Sequence, residues 1–283
     1  MKKALLHILL LGALQACAGS KPVQQTVADS AHKSNADSFI FIKKIPGHFT
    51  GVQVDIANNI YVITAGNQLK KYSAGFDSVA VFNDVKKYGY PSQIDVTNPL
   101  RTLLYYKNFS TIVLLDRLLS PRNTINLRQQ NIFGVSAIAN AYDNNIWLFD
   151  EQEFKLKKID EAGRSLMETT DWRMLVNDAP TPQIIIDNNN LVYLYDAHRG
   201  FYLFDYYGTF KTFLPFKGWK NISVNKGKLM GIAANTLYVY DVAAMVDKKY
   251  SLPEIFKTAT DAKAINGILY LLKPDGLELY QFL

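Results

Sequence analysis

The chain has 283 residues, 48% hydrophobic and 13% aromatic, which is enough apolar side chain for a large buried core and excludes wholesale disorder. A single Cys excludes an intrachain disulfide and a thiolate zinc cluster, and 4 His leave few nitrogen ligands for another metal. Lys+Arg outnumber Asp+Glu by 31 to 25, but the excess is spread along the chain, so nucleic acid is not an indicated partner.

The N-terminus comes first in chain order. Lys2 and Lys3 form a positive start, and Ala4 to Leu14 is an apolar run too short to cross a bilayer as a helix. Leu14-Gln15-Ala16-Cys17 follows and resembles the lipobox of bacterial lipoproteins, although Gln15 is not the commonest residue at its position. The resemblance implies a diacylglycerol thioether on Cys17, cleavage before it, and acylation of the new amine. Residues 1–16 are then a signal peptide, residues 17–37 a lipidated tether, and the protein is exported and held at the cell envelope. Several acyl chains anchor stably where one is marginal. Ala18 in place of Asp implies, by the enterobacterial sorting pattern, the outer membrane. The rival reading is an ordinary secretory signal cut near Ala16 or Ala18. No cofactor is expected beyond these acyl chains.

Residues 18–37 are polar, small and aperiodic, with His32 solvated among them. As a flexible coil such a stretch reaches roughly 25 Å. Ser38–Ile45, SFIFIKKI, then predicts a strand with no partner nearby in sequence.

Beyond it the chain repeats. A bulky residue followed by a polar one, usually Asp, closes a predicted strand at Tyr72-Ser73, Leu115-Asp116, Ile159-Asp160, Phe204-Asp205, Tyr240-Asp241 and Tyr280-Gln281, at spacings of 43, 44, 45, 36 and 40. Another predicted strand precedes each one, as at Ile60–Thr64 and Ile146–Phe149. Turns such as Asn58-Asn59, Asn144-Asn145 and Asn266-Gly267 come before those strands. Asn and Gly tolerate the positive φ of tight hairpins. One strand before each turn and one after the bulky-polar pair complete a unit of four. This period and strand count predict an all-β fold, a six-bladed β-propeller over residues 38–283. The last unit has only three strands before Leu283, so Ser38–Ile45 is expected to pair there and close the ring, hiding the apolar faces of an open stack. An irregular β-sandwich is the alternative.

Val54-Asp55-Ile56-Ala57-Asn58-Asn59-Ile60-Tyr61-Val62, with Asn67 to Tyr72 after it, resembles the NHL repeat family of six-bladed, TolB-like propellers. Ile184 to Asp187 with Val192 to Asp196 is a weaker echo. Unit two departs from the pattern at Asn98-Pro99-Leu100-Arg101, and unit five is short. The resemblance implies a fold and no particular activity.

Catalytic constellations are sought without success. His48 and His198 are the only imidazoles of the repeat region, and HExxH, EF-hand, GxSxG and phosphate-cradling motifs are absent. Asp55, Asp95 and Asp187 recur at matching positions and read as turn caps, with a channel-mouth metal set as the alternative. Lactonase-like propellers carry a Glu/Asn/Asp calcium set there, for which no Glu is placed.

In a propeller, inter-blade loops and the loops between second and third strands share one face, here the loop face; short hairpins form the other. The loop segments carry aromatic and cationic residues, and the hairpins are expected to be chiefly Asn, Asp and Gly. Tyr88, Tyr90, Trp172, Arg173, Trp219, Lys220, His198 and Arg199 are therefore the candidate partner-binding residues. Trp172 is the candidate exposed anchor of the longest loop, while Phe49 and Phe133 are expected to pack beneath theirs. The function expected is a non-catalytic, membrane-anchored platform for an envelope protein. A glycan or small-ligand receptor on the same face is the alternative, followed by a metal-dependent lactonase or sugar dehydrogenase.

Overall fold

A computed structural model describes residues 38–174 and 180–282. They form six four-stranded antiparallel sheets. Five sheets are continuous in the chain, at 49–82, 93–126, 135–168, 184–214 and 220–251. The sixth takes three strands from 261–282 and its outermost strand, Phe39–Pro46, from the start of the described chain. That strand runs antiparallel to Gly276–Phe282, pairing Phe39 with Phe282 and Pro46 with Gly276. The innermost strands neighbour one another in a closed cycle, with Phe49–Val54 beside both Gln93–Asn98 and Asp261–Ile265. The fold is a six-bladed propeller sealed by its first strand, as the repeats predict.

Burial explains why two strands per unit were so legible. A blade's middle strands are covered on both faces by neighbouring blades, so they read as nearly continuous apolar runs. Ile146–Asp150 and Arg101–Tyr106 are buried along their whole length. Outermost strands such as Pro121–Asn126 and Val246–Ser251 are mostly exposed and polar. The buried side chains fall into six clusters, one at each blade–blade interface. Trp147, Phe149 and Phe204 fill the one between blades 3 and 4.

In blades 1 to 5 the recurring polar residue after the third strand has one physical job, whereas Gln281, its counterpart in blade 6, lies within its strand opposite Ile40. Asp116 Oδ1 accepts the backbone N–H groups of Leu118 and Ser120 at 2.8 and 2.9 Å. Asp160 Oδ1 accepts from Ala162 and Arg164, and Asp205 Oδ1 from Tyr207 and Thr209. Asp241 Oδ1 holds Ala243 and Ala244, and Ser73 Oγ holds Asp77. Each carboxylate thus satisfies turn N–H groups that the ladder leaves open. The last residue of each of these turns is left-handed: Phe76, Leu119, Gly163, Gly208 and Met245.

Adjacent innermost strands diverge around a central channel, and side chains stitch them together. Gln93 Oε1 accepts from Ile138 N at 2.8 Å, and Asp95 Oδ2 accepts from Asn140 N at 2.5 Å, tying blade 2 to blade 3. Asp261 Oδ2 accepts from Val52 N at 3.0 Å, tying blade 6 to blade 1. Arg101, buried, donates to Asn140 Oδ1, to Asn145 O and to Glu161 Oε1 at 2.8, 2.8 and 3.0 Å. Of the three recurring carboxylates, Asp55 caps its own turn through Ala57 N and Asn59 N. Asp187 does not. It accepts from Trp147 Nε1, Tyr142 N and Tyr206 Oη, and so bridges blades 3 and 4.

Candidate functional site

The inner wall of the ring encloses a cavity of about 810 Å³. Its polar lining is largely committed to the stitching above. Lys263 is the exception in kind: its Nζ donates to Ile222 O at 2.6 Å, and no carboxylate lies within ion-pair distance of it among the described residues. Burial lowers its pKa to about 8, against the pull of Asp261 and Asp95. Burial raises the Asp261 and Asp187 carboxyls above the usual range, although backbone N–H groups at each, and the Tyr206 and Trp147 side chains at Asp187, pull the other way. Among the described residues no group of three His, Cys, Asp or Glu is placed to hold a metal ion.

On the loop face the candidate residues separate into three groups. Trp172 and Trp219 are core. Trp172 is 1% exposed, stacked on Phe204 at 4.5 Å and edge-on to Phe149, with Nε1 donating to Thr169 Oγ1 at 3.1 Å. The expected exposed anchor is therefore a wedge between blades 3 and 4, because its loop has enough chain to fold the indole back. Trp219, 6% exposed, is clamped between Phe216 at 4.8 Å and Tyr238 at 5.2 Å. It lies over Gly231, where a Cβ would sit 2.5 Å from the indole.

Tyr88 is half-buried, stacked on Tyr106 at 4.8 Å, with Lys87 over its ring and Phe109 at its edge. Tyr90, two residues on, is 52% exposed at the channel mouth, and burial and then the Asp261 charge raise its hydroxyl pKa. Arg173 is exposed but forked onto Asp171 and laid over the Phe154 ring at 4.8 Å. His198 and Lys220 are exposed, and Arg199 is half-buried beside Asp196, 3.6 Å from its carboxylate. Cys17 lies outside the described residues.

The structure thus leaves Tyr90, His198 and Lys220 as accessible candidates and adds others. Phe109, Phe133 and Ile255 are exposed on this face. Phe133 overturns the expectation that it packs under its loop. Phe109 lies in a loop beside Lys107, the same aromatic-plus-cation signal used for the other candidates. A smaller cleft of about 310 Å³ opens on blade 5 beside the connection from blade 4, lined by Phe216, Trp219, Tyr238 and Tyr240 with Lys217, Asp247 and Lys249.

The hairpin face is less polar than its sequence suggested. Ile56, Leu100, Leu118, Tyr142, Tyr207 and Met245 are all exposed there. Tyr142 and Tyr206 stack at 4.0 Å beside the channel mouth.

No known protein family matches the chain, and no curated protein does. Solved structures do. A catalytically inactive virginiamycin B lyase from Staphylococcus aureus, solved with quinupristin, shares 10% identity at TM-score 0.59, covering 87% of this chain and all (100%) of that one. A protein of unknown function from Bacteroides thetaiotaomicron shares 11% identity at TM-score 0.59, covering 84% of this chain and 72% of that one. The β-propeller domain of Myceliophteria thermophila Cps50 (Swd1) shares 8% at TM-score 0.57, covering 87% and 100%. At such identities the likeness is one of fold. These neighbours include a lyase and a β-propeller domain, so the fold alone selects no chemistry.

Proposed function

We propose that this protein is an exported, lipid-anchored β-propeller serving as a non-catalytic docking platform for a protein of the cell envelope, with the loop face as its docking surface. One observation carries the reading. Tyr90, Phe109, Phe133 and Ile255 project from that face beside the cations Lys86, Lys87, Lys107 and Lys257, while the ring behind them is rigidly stitched. Exposed aromatic anchors on a rigid base keep the ordering cost of association low. The anchor itself rests on Lys2-Lys3, the apolar run and the lipobox ending at Cys17. Metabolic fatty-acid labelling of the wild type against Cys17→Ser tests it, and equal label in both removes it.

The docking surface is tested by photo-crosslinking amino acids placed at Phe109, Phe133 and Ile255 in the native membrane, with Lys248 in the middle of the outer strand of blade 5 as control. One discrete protein adduct from the loop positions and none from the rim is the expected result; no adduct from any loop position removes the platform reading.

A second reading, a glycan or small-ligand receptor, is favoured by the aromatic cleft on blade 5. Its Trp219 is sandwiched on both ring faces, so a ligand would meet the exposed parts of Phe216, Tyr238 and Tyr240. Quenching of tryptophan fluorescence by cell-wall oligosaccharides, lost in Tyr240→Ala, would support it, and an unchanged spectrum would remove it.

A further inference from the structure

We propose that the hairpin face is a membrane seat: that its apolar turn tips dip into the lipid headgroup region and hold the propeller with its loop face turned outward. The inference rests on the lipid-anchored reading above.

The described chain begins on the hairpin side. Phe39–Pro46 enters the last blade from the hairpin side, because Phe39 pairs with Phe282, whose N–H donates to Gly267 O in a hairpin turn. A tether of residues 18–37, with a coil reach of roughly 25 Å, would deliver its load to the face where Phe39 enters. Ile40, Phe41 and Ile42, the first residues after the buried Phe39, are exposed on the outer strand at this same end.

The tips supply the contact. Leu118 and Tyr207 occupy the same place in their turns, two residues after the capping Asp, and Tyr207 is 88% exposed. Leu100 and Tyr142 come from the turns nearer the channel and are 67% and 62% exposed. Met245 is the telling residue. It is left-handed, with φ of 56°, and 78% exposed. Gly163 and Gly208 take the corresponding left-handed place without penalty, and Leu119 and Phe76 offset theirs by packing into the core. A bulky residue at such φ costs about 1–2 kcal/mol relative to glycine-tolerated geometry, and among the described residues Met245 belongs to none of the buried clusters.

Lipid fits better than a charged partner surface. The capping carboxylates of this face, Asp116, Asp160, Asp205 and Asp241, sit at the turn roots with Oδ1 committed to backbone N–H groups, Glu161 and Asp143 pair with Arg101 and Lys158, and Asp77 is exposed. The exposed cations Arg117 and Lys226 lie in the turns themselves, where headgroup phosphates would be, and exposed Arg164 is held on Asp160. Among the described residues no helix is long and apolar enough to cross a membrane, so the contact is superficial.

The test uses the full-length, acylated protein in vesicles of phosphatidylethanolamine and phosphatidylglycerol. Cys17 is the only cysteine, and acylation consumes it, so Leu118→Cys, Tyr207→Cys and, on the loop face, Phe133→Cys each give one labelling site. An environment-sensitive dye at each site is read against lipids carrying a quencher at the glycerol level. Quenching at Leu118→Cys and Tyr207→Cys at least about twofold above that at Phe133→Cys, and retained in high salt, is expected for shallow apolar insertion. Protein that floats with the vesicles while all three sites are quenched equally, or none is, overturns the seat and leaves the anchor standing. In that case crosslinks from Tyr207 to a protein in native membranes would identify a protein as the occupant. Protein that fails to float overturns the anchor, and the seat with it.

Discussion

The two ends of the propeller treat apolar residues in opposite ways. On the loop face, the aromatic residues with the strongest sequence signal, Trp172 and Trp219, have withdrawn into blade interfaces. On the hairpin face, Leu118 and Tyr207 stand in solvent although turns of that kind are ordinarily polar. For Trp172 and Tyr207 the length of the connection accounts for the difference. A connection such as 169–182 has enough chain to fold an indole back between blades. A turn closed by Asp205 Oδ1 onto the N–H groups of Tyr207 and Thr209 has none, and the side chain in its middle can only point away.

The largest expected effect separates those two fates. Trp172→Ala should cost about 3–5 kcal/mol in urea unfolding, as for deletion of other buried aromatics. Tyr207→Ala should stay within about 0.5 kcal/mol of wild type, as an exposed substitution does. Comparable losses in both would break the comparison. Next comes the stitching beneath the hairpin end: Arg101→Ala should cost about 2–3 kcal/mol, because Asn140 and two carbonyls of the next blade lose their donor. Met245→Gly should sharpen the contrast by moving stability the other way, a gain of about 1 kcal/mol from released left-handed strain. A loss there would mean that Met245 packs somewhere within the fold.

A further effect, read against pH, lies at Lys263 on the inner wall of the ring. Its folded-state pKa of about 8 is below the ordinary 10.5, so burial of the charge opposes folding at neutral pH. From this group, wild-type stability is flat below about pH 8 and rises between there and about 10.5, as the unfolded chain holds the proton that the folded one has released. Unfolding midpoints measured from pH 7 to pH 10 should show that rise in the wild type and lose it in Lys263→Met.

Much of this architecture was legible because blade sheets are covered on both sides. Ile146–Asp150 could be read from its unbroken apolar run, and Tyr72-Ser73 through Tyr240-Asp241 from the cap that follows the third strand in blades 1 to 5. The isolated strand at Phe39–Pro46 could be placed because the last unit lacked one. The site was much less legible. Residue type marks Trp172 and Tyr90 alike as aromatics in long loops, yet one is a wedge and the other a surface, and only the path of the backbone decides. Phe133 shows the converse, an expected wedge left outside. Asp187 misled for a similar reason: its position in the repeat matches a turn cap, but its oxygens are claimed by Trp147 of blade 3 and by Tyr206.

The seam between Phe39–Pro46 and Gly276–Phe282 has a mechanical meaning. Any pull transmitted through the chain ahead of Phe39 arrives at the one place where the ring is held shut by hydrogen bonds instead of by covalent continuity. Drawn along the strand, that force is shared in shear by every rung from Phe39 to Pro46; drawn sideways, it would peel the rungs one at a time. The same joint that completes the toroid therefore sets how strongly it can be tugged, and from which direction, before it opens.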